Sequence, residues 1–247
     1  MKFITINEID STNAEARRLA KSAKLGPLWL RADQQLDGRG RRGREWVSEK
    51  GNLYCSGLYP NMGSLQEAAL MSFVAALAVS ECLEAYISAD KIKLKWPNDV
   101  LVEGEKISGI LLEGEEDYLI VGIGINLISH PKNTVLSATH LLDHISPSNL
   151  NGPEPIMTGP DALLAGLVAR FEYWRNTFLQ KGFEPISQAW LARAYNIPGP
   201  VNVRLPKEKF SGIALGLDEN GALRVELENG TIRDVHAGDV FFSNTGA

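Results

Sequence analysis

The chain has little cysteine and no surplus of positive charge, and each shortage excludes a class of protein. Two cysteines, Cys55 and Cys82, in 247 residues supply neither a disulfide framework nor paired CxxC spacing for a metal. Their scarcity indicates a reducing, cytoplasmic setting. The net charge of −5 argues against a nucleic-acid binder, which needs a broad basic face. Long hydrophobic runs are missing too. The N-terminus MKFITINEID has no sustained apolar run ahead of a cleavage site. The longest apolar stretch, residues 68–79, is interrupted by Ser72 and stops before Glu81, short of the ~20 apolar residues a bilayer needs. It reads as a buried helix, and no membrane association is expected. Walker A and HExxH sequences are also absent. His140 and His144 stand four apart in HLLDH, but without the glutamate and a third ligand they read as a solvated turn and not a metal site.

With 44% hydrophobic and 22% charged residues, the chain has room for one sizeable core and one small appended domain. Thr12 and Glu15 form a capping-box pattern ahead of a helix over residues 14–23, and Ser64 with Glu67 repeats it. The second helix sets Ala69, Phe73, Ala76, Ser80, Leu83 and Ile87 along one face. Strand patterns cover residues 28–32, 53–58, 92–95, 100–102, 107–113 and 118–125, the last four as a meander. Residues 128–158 read as a long connection with a helical turn at 139–144. Pro160 and Asp161 then open a helix whose Leu163, Leu167, Phe171, Trp174 and Phe178 share a face. After Ile197-Pro198-Gly199-Pro200, five short strand patterns follow at 201–205, 210–217, 222–227, 231–235 and 239–242. The expected fold is therefore α/β (α+β), a mixed sheet flanked by helices over residues 1–196, with a small β-barrel over 197–247.

The chemistry concentrates in three segments. Gly38-Arg39-Gly40-Arg41-Arg42-Gly43-Arg44 sets four arginines and three glycines together, followed by Glu45-Trp46. Guanidinium groups bind carboxylate or phosphate in a two-point fashion, and glycine lets backbone N–H groups approach a ligand. The run lies between two strands, unlike a terminal basic tail, so it suits a loop that closes over a charged small molecule. Lys95-Trp96-Pro97-Asn98-Asp99 gathers polar groups about a proline, and on its own it reads as a turn with a packed tryptophan. Lys106-Ile107-Ser108-Gly109-Ile110 precedes Gly122-Ile123-Gly124-Ile125-Asn126 at the next strand end. That GxG lacks the third glycine and helix start of a dinucleotide fingerprint.

Asp10-Ser11-Thr12-Asn13, Gln35, GRGRRGREW, KWPND at 95–99, Lys106 with Ser108-Gly109-Ile110, and GIGIN at 122–126 follow one another in the order found in biotin protein ligases. The chain resembles that family from about residue 5 to its end. Some members carry an N-terminal winged helix-turn-helix and act as repressors. This chain begins almost directly at the catalytic core, so the resemblance implies the monofunctional form. It also implies a class II synthetase-like core, an SH3-like C-terminal barrel, and a two-step reaction. Biotin and ATP form biotinyl-5'-AMP, with Mg²⁺ accompanying the pyrophosphate and no protein metal ligand. A lysine of a biotin carboxyl carrier domain then takes the biotin.

By position in the motifs, Lys106 and Arg39 are the catalytic groups. Ser11, Thr12, Asn13, Gln35, Gly38, Arg39, Gly40, Arg41, Lys106 and Gly109 hold biotin, with Ser11, Thr12 and Gln35 on its ureido ring. Arg41, Arg42, Arg44, Trp46 and Asn126 hold the nucleotide, Trp46 packing on adenine and Asn126 reading it. Lys95, Asn98, Asp99, Gly122 and Gly124 support them. The loop also covers the adenylate and, through its own charge repulsion, is expected to be poorly ordered until an anion binds. A carboxyl carrier domain is the expected partner, a homodimer is allowed, and nucleic acid is not expected. Lipoate ligases and octanoyl transferases share the fold and are the nearest rival reading.

Overall fold

The computed structural model describes residues 1–22, 27–60, 63–115, 117–132, 134, 136–145 and 159–242. Residue 23 of the expected first helix, residues 146–158 of the long connection and residues 243–247 of the expected barrel domain lie outside the described residues.

Seven strands form the main sheet: β1 (Lys2–Ile9), β2 (Leu28–Gln35), β3 (Leu53–Pro60), β4 (Ile92–Lys95), β5 (Asp99–Val102), β6 (Glu105–Glu115) and β7 (Tyr118–Ile125). Their order is β1-β2-β3-β7-β6-β5-β4. Only β1 and β2 run parallel, joined by helix α1 (Thr12–Ser22), and β4 to β7 form the expected meander. Sequence patterning missed β1, an edge strand that buries little of itself. Successive side chains on a strand point to opposite faces. Accordingly, Leu28 and Leu30 pack with Ala16 of α1, while Trp29 belongs to the large core on the other face.

That larger core is built on α2 (Leu65–Leu83). The Ser64–Glu67 capping box forms as read: Ser64 Oγ accepts from Glu67 N at 3.2 Å, and Glu67 Oε2 accepts from Ser64 N at 2.7 Å. Phe73, Ala76, Ser80, Leu83 and Ile87 are buried, but Ala69, in the exposed first turns, is not. Burial also extends beyond one stripe to Met71, Val74, Ala75, Leu77, Ala78 and Val79. The sheet covers one side of α2, and α3 (Pro160–Lys181) with α4 (Glu184–Leu191) covers the other. The window Gln66–Leu83 is long and apolar enough to span a membrane by length and composition, and 67% of it is buried inside the protein.

The Thr12–Glu15 box does not form. Thr12 N and Oγ1 both donate to Gln35 Oε1, at 2.8 and 3.0 Å, and Glu15 pairs with Arg18 at 2.6 Å. A better acceptor on the neighbouring strand takes the place of the helix's own turn.

The C-terminal strands β8 (Gly199–Arg204), β9 (Lys209–Leu217), β10 (Leu223–Glu226), β11 (Ile232–Val235) and β12 (Asp239–Phe242) form an antiparallel sheet in the order β11-β10-β9-β8-β12. β11 and β12, consecutive in the chain, thus occupy opposite edges, joined only by residues 236–238. Flat, the edges would stand ~19 Å apart at ~4.8 Å per strand, beyond the ~14 Å that so short a link spans. The sheet must curl, which is consistent with an SH3-like domain. Its Val201, Val203, Leu223 and Val225 join the core of the larger sheet, and Trp96 Nε1 donates to Gly221 O at 3.0 Å.

Candidate active site

A cavity of about 450 Å³ opens where the start of α1, Gly109 of β6, Gly122 and Gly124 of β7, the arginine loop and β12 converge. One end is polar and almost dry. Ser11, Thr12 and Asn13 are 2%, 4% and 4% exposed, and buried polar groups must be paired. Gln35 links Thr12 to Ser48 through its Nε2 at 2.9 Å, and Ser48 Oγ donates to Trp46 O at 2.8 Å. Ser56 Oγ lies 2.8 Å from Thr12 Oγ1 and 2.6 Å from Asn13 Oδ1, while Asn13 Nδ2 donates to Glu113 Oε2 at 3.0 Å. Asn13 occupies the space a side chain at position 122 would fill, so Gly122 is required for close approach. Ser56 was not singled out by sequence reasoning. Its only signal is a hydroxyl at mid-strand, flanked by Cys55 and Gly57.

The other end is cationic. Lys106 Nζ meets Asp99 Oδ1 at 2.6 Å and stands 5.3 Å from the centre of the Trp46 ring. Arg41 Nη1 donates to Asn98 Oδ1 at 3.2 Å, and Asn98 is fixed by its Nδ2 donating to Ile110 O at 2.7 Å. Burial pushes the Arg41 guanidinium and the Lys95 ammonium below their ordinary values, Asp99 opposing the shift in both. A desolvated cation is stabilised by an incoming anion, and here two of them share a cavity with Lys106.

The arginine loop has a defined turn. Gly40 N donates to Arg44 O at 2.7 Å and Trp46 N to Gly38 O at 2.8 Å, with Arg42 and Gly43 left-handed at φ 57° and 72°. The expected self-repulsion is offset by carboxylates: Arg39 pairs with Asp37 at 2.7 Å, and Arg42 and Arg44 both pair with Asp239 of β12. Arg41, by contrast, has a neutral acceptor, Asn98, and takes the partly buried position. Arg42 and Gly38 do not reach the cavity wall; a side chain at Gly38 would strike Trp46 O and Ser48 Oγ. The remaining candidate residues line the cavity. So do Asp239, Val240 and Phe241, which sequence reasoning missed because they lie far along the chain from the loop they meet.

Trp46 forms the wall between the two ends. Its indole lies on the glycines of β6 and β7: a Cβ at Gly109 would come 2.8 Å from the ring and one at Gly124 2.5 Å. Its buried Nε1 has no hydrogen-bond partner. Asn126 is 2% exposed and spends its Nδ2 on Thr139 O at 3.0 Å, which leaves Oδ1 as the acceptor it can offer a ligand. A side chain at position 124 would therefore displace the indole, at a strain of about 1–3 kcal/mol.

His140 and His144 do not share a face. His144 turns to Thr139 Oγ1 at 2.7 Å and Glu103 at 3.3 Å, whereas His140 meets His130.

The Biotin/lipoate A/B protein ligase family matches residues 6–126, and the biotin protein ligase C-terminal domain matches residues 200–243. A biotin–acetyl-CoA-carboxylase ligase of Paracoccus denitrificans is 38% identical over 239 residues, covering 94% of this chain and 97% of that one. The bifunctional ligase/repressor of Escherichia coli is 30% identical, with 94% of this chain covering 71% of it. Among solved structures, the Aquifex aeolicus biotin protein ligase in complex with biotin and ATP superposes with a TM-score of 0.78 at 29% identity, covering 98% of this chain and 99% of that one. The chain belongs to the biotin protein ligase family.

Proposed function

We propose that this cavity carries out both half-reactions of an ATP-dependent biotin protein ligase. A biotin carboxylate oxygen attacks the α-phosphorus of ATP, pyrophosphate leaves, and biotinyl-5'-AMP forms. The neutral ε-amine of an acceptor lysine then attacks the acyl carbon, AMP leaves with the bond electrons, and the amine's proton is lost. The observation that carries this reading is the meeting of a buried polar network with the desolvated Arg41 and Lys95 in one cavity.

Ser11, Thr12, Asn13 and Gln35 hold the ureido ring, and Gly122 and Gly109 let the ligand lie close to the sheet. Lys106 stabilises charge at the carboxylate and α-phosphate, with Lys95 beside it, as preorganised cations do in a site closed to water, while Arg41 holds the adenylate from the covering loop. Trp46 and Asn126 receive adenine. Asn98 and Asp99 aim Arg41 and Lys106. Asp239 holds the loop through Arg42 and Arg44, a supporting role for Arg42 in place of direct nucleotide contact. Arg39 acts from the exposed rim of the loop. Magnesium enters as MgATP: Asp99 and Asp239, the cavity's aspartates, are already paired with cations, and a metal ion supplies charge neutralisation at the pyrophosphate. Residues 1–196 form the catalytic unit and 197–247 the SH3-like unit. The two cysteines are free and buried, in keeping with a cytoplasmic setting.

Transfer is tested by incubating the protein with biotin, MgATP and a biotin carboxyl carrier domain. One lysine should gain one biotin by mass spectrometry; its absence while the adenylate forms would reject the acceptor. Arg41→Gly removes a charge from the covering loop and adds backbone freedom. The variant should still make biotinyl-5'-AMP, release it faster in rapid filtration, and label albumin. Loss of synthesis with unchanged release would assign Arg41 to the chemical step instead.

A further inference from the structure

We propose that His130, His140 and Asp143 form a three-ligand site for a divalent transition-metal ion, zinc by preference, close in the chain to the cavity-lining Pro131 and Ala138. His130 Nδ1 lies 2.9 Å from His140 Nδ1, and His140 Nδ1 lies 3.0 Å from Asp143 Oδ2. The ligand atoms of all three groups fall within 4.8 Å of one another. Protons alone serve this arrangement poorly. A ring nitrogen carries either one proton or one lone pair. If His140 Nδ1 is protonated, that proton must be shared between His130 and Asp143. If it is not, its lone pair faces the carboxylate. Either way three electron-pair donors converge on too few hydrogens, and a cation resolves the conflict.

The donor set, two imidazoles and one carboxylate, suits zinc and its neighbours over magnesium. Two nitrogens on a tetrahedral zinc stand about 3.3 Å apart for Zn–N bonds of about 2.0–2.1 Å, so the observed pair needs only a few tenths of an ångström of expansion. Water takes the fourth position.

The site also has a position in the fold. His130 and His140 bracket the segment whose Pro131, Thr134, Leu136 and Ala138 line the cavity. Ala138 bridges to Lys106, and Thr139 accepts from Asn126. A bound metal ties the two ends of that segment together beside the residues that receive adenine. Neither MgATP nor the adenylation chemistry uses this group.

The test uses full-length protein without a histidine tag, treated with chelator and desalted. Zinc, nickel and magnesium are each titrated and bound metal is measured after equilibrium dialysis. One equivalent of zinc should bind, and His130→Gln and His140→Gln should each weaken it at least tenfold. His144→Gln should leave it unchanged, and magnesium should not compete. Cobalt on the wild-type protein gives a second reading that needs no variant: tetrahedral nitrogen and oxygen ligation shows visible d–d bands without a thiolate charge-transfer band. Binding below one equivalent, binding insensitive to both substitutions, or a cobalt spectrum lacking tetrahedral bands would overturn the proposal.

Discussion

Lipoate and octanoate should be adenylated at least about 10⁴-fold less efficiently than biotin, the scale reached when a site built around hydrogen bonds receives a ligand lacking them. The polar end of the cavity is the reason. Ser11, Thr12 and Asn13 are nearly sealed from water, and Gln35 and Ser56 hold Thr12 and Asn13 in a fixed pattern, with Ser48 fixing Gln35. An aliphatic or dithiolane chain would cover the hydrogen-bonding capacity these groups still turn to the cavity and return no hydrogen bond, and each group so left unpaired costs roughly 1–3 kcal/mol. Because the protein partners are already committed, they cannot turn away to satisfy one another further. The measurement is kcat/KM for acid-dependent pyrophosphate exchange with each acid. Comparable values for lipoate and biotin would move the chain to the rival ligase class within the same fold.

Lys106→Ala should lower adenylation by about 10²-fold or more, the loss seen when one preorganised charge stabiliser is removed. Lys106 is held from two sides, by Asp99 at 2.6 Å and by the face of Trp46 at 5.3 Å. Its ammonium therefore needs little reorganisation when charge develops at phosphorus. The variant also leaves Asp99 without its cation in a cavity meant for anions, so the loss should fall on kcat as well as on KM. Lys106→Arg should recover little, since the planar guanidinium replaces a point charge over the ring. Exchange close to the unmodified rate in the alanine variant would remove Lys106 from the mechanism.

The parts of the fold legible in the sequence are those with local causes. The Ser64–Glu67 box, the β4 to β7 meander and the start of α3 at Pro160 rest on residues a few positions apart, and the structure carries them. Where distant residues decide, local patterns misled. Thr12 has the spacing of a capping box, yet Gln35 of β2 takes its hydroxyl. Ala69 falls on the helical stripe, yet it lies before the part of α2 that the sheet and α3 enclose. The short α4 was also missed, although Pro185 stands in its first turn, where proline is tolerated. The site shows the same division. The motif glycines and cations could be located, but not the long-range partners that aim them: Ser56 on β3 for Thr12, Asp239 on β12 for Arg42 and Arg44. Nothing in HLLDH announces that His140 pairs with His130 and not with His144.

The central claim is that one cavity joins a biotin carboxylate to the α-phosphate of ATP. Biotin-dependent exchange of radiolabelled pyrophosphate into ATP tests it most directly, because it reads the first half-reaction without the acceptor protein. The account predicts exchange that requires biotin and magnesium together, saturates with both substrates, and falls by about 10²-fold or more in Lys106→Ala. Exchange that proceeds without biotin, or none at all from folded protein supplied with biotin and MgATP, would contradict it.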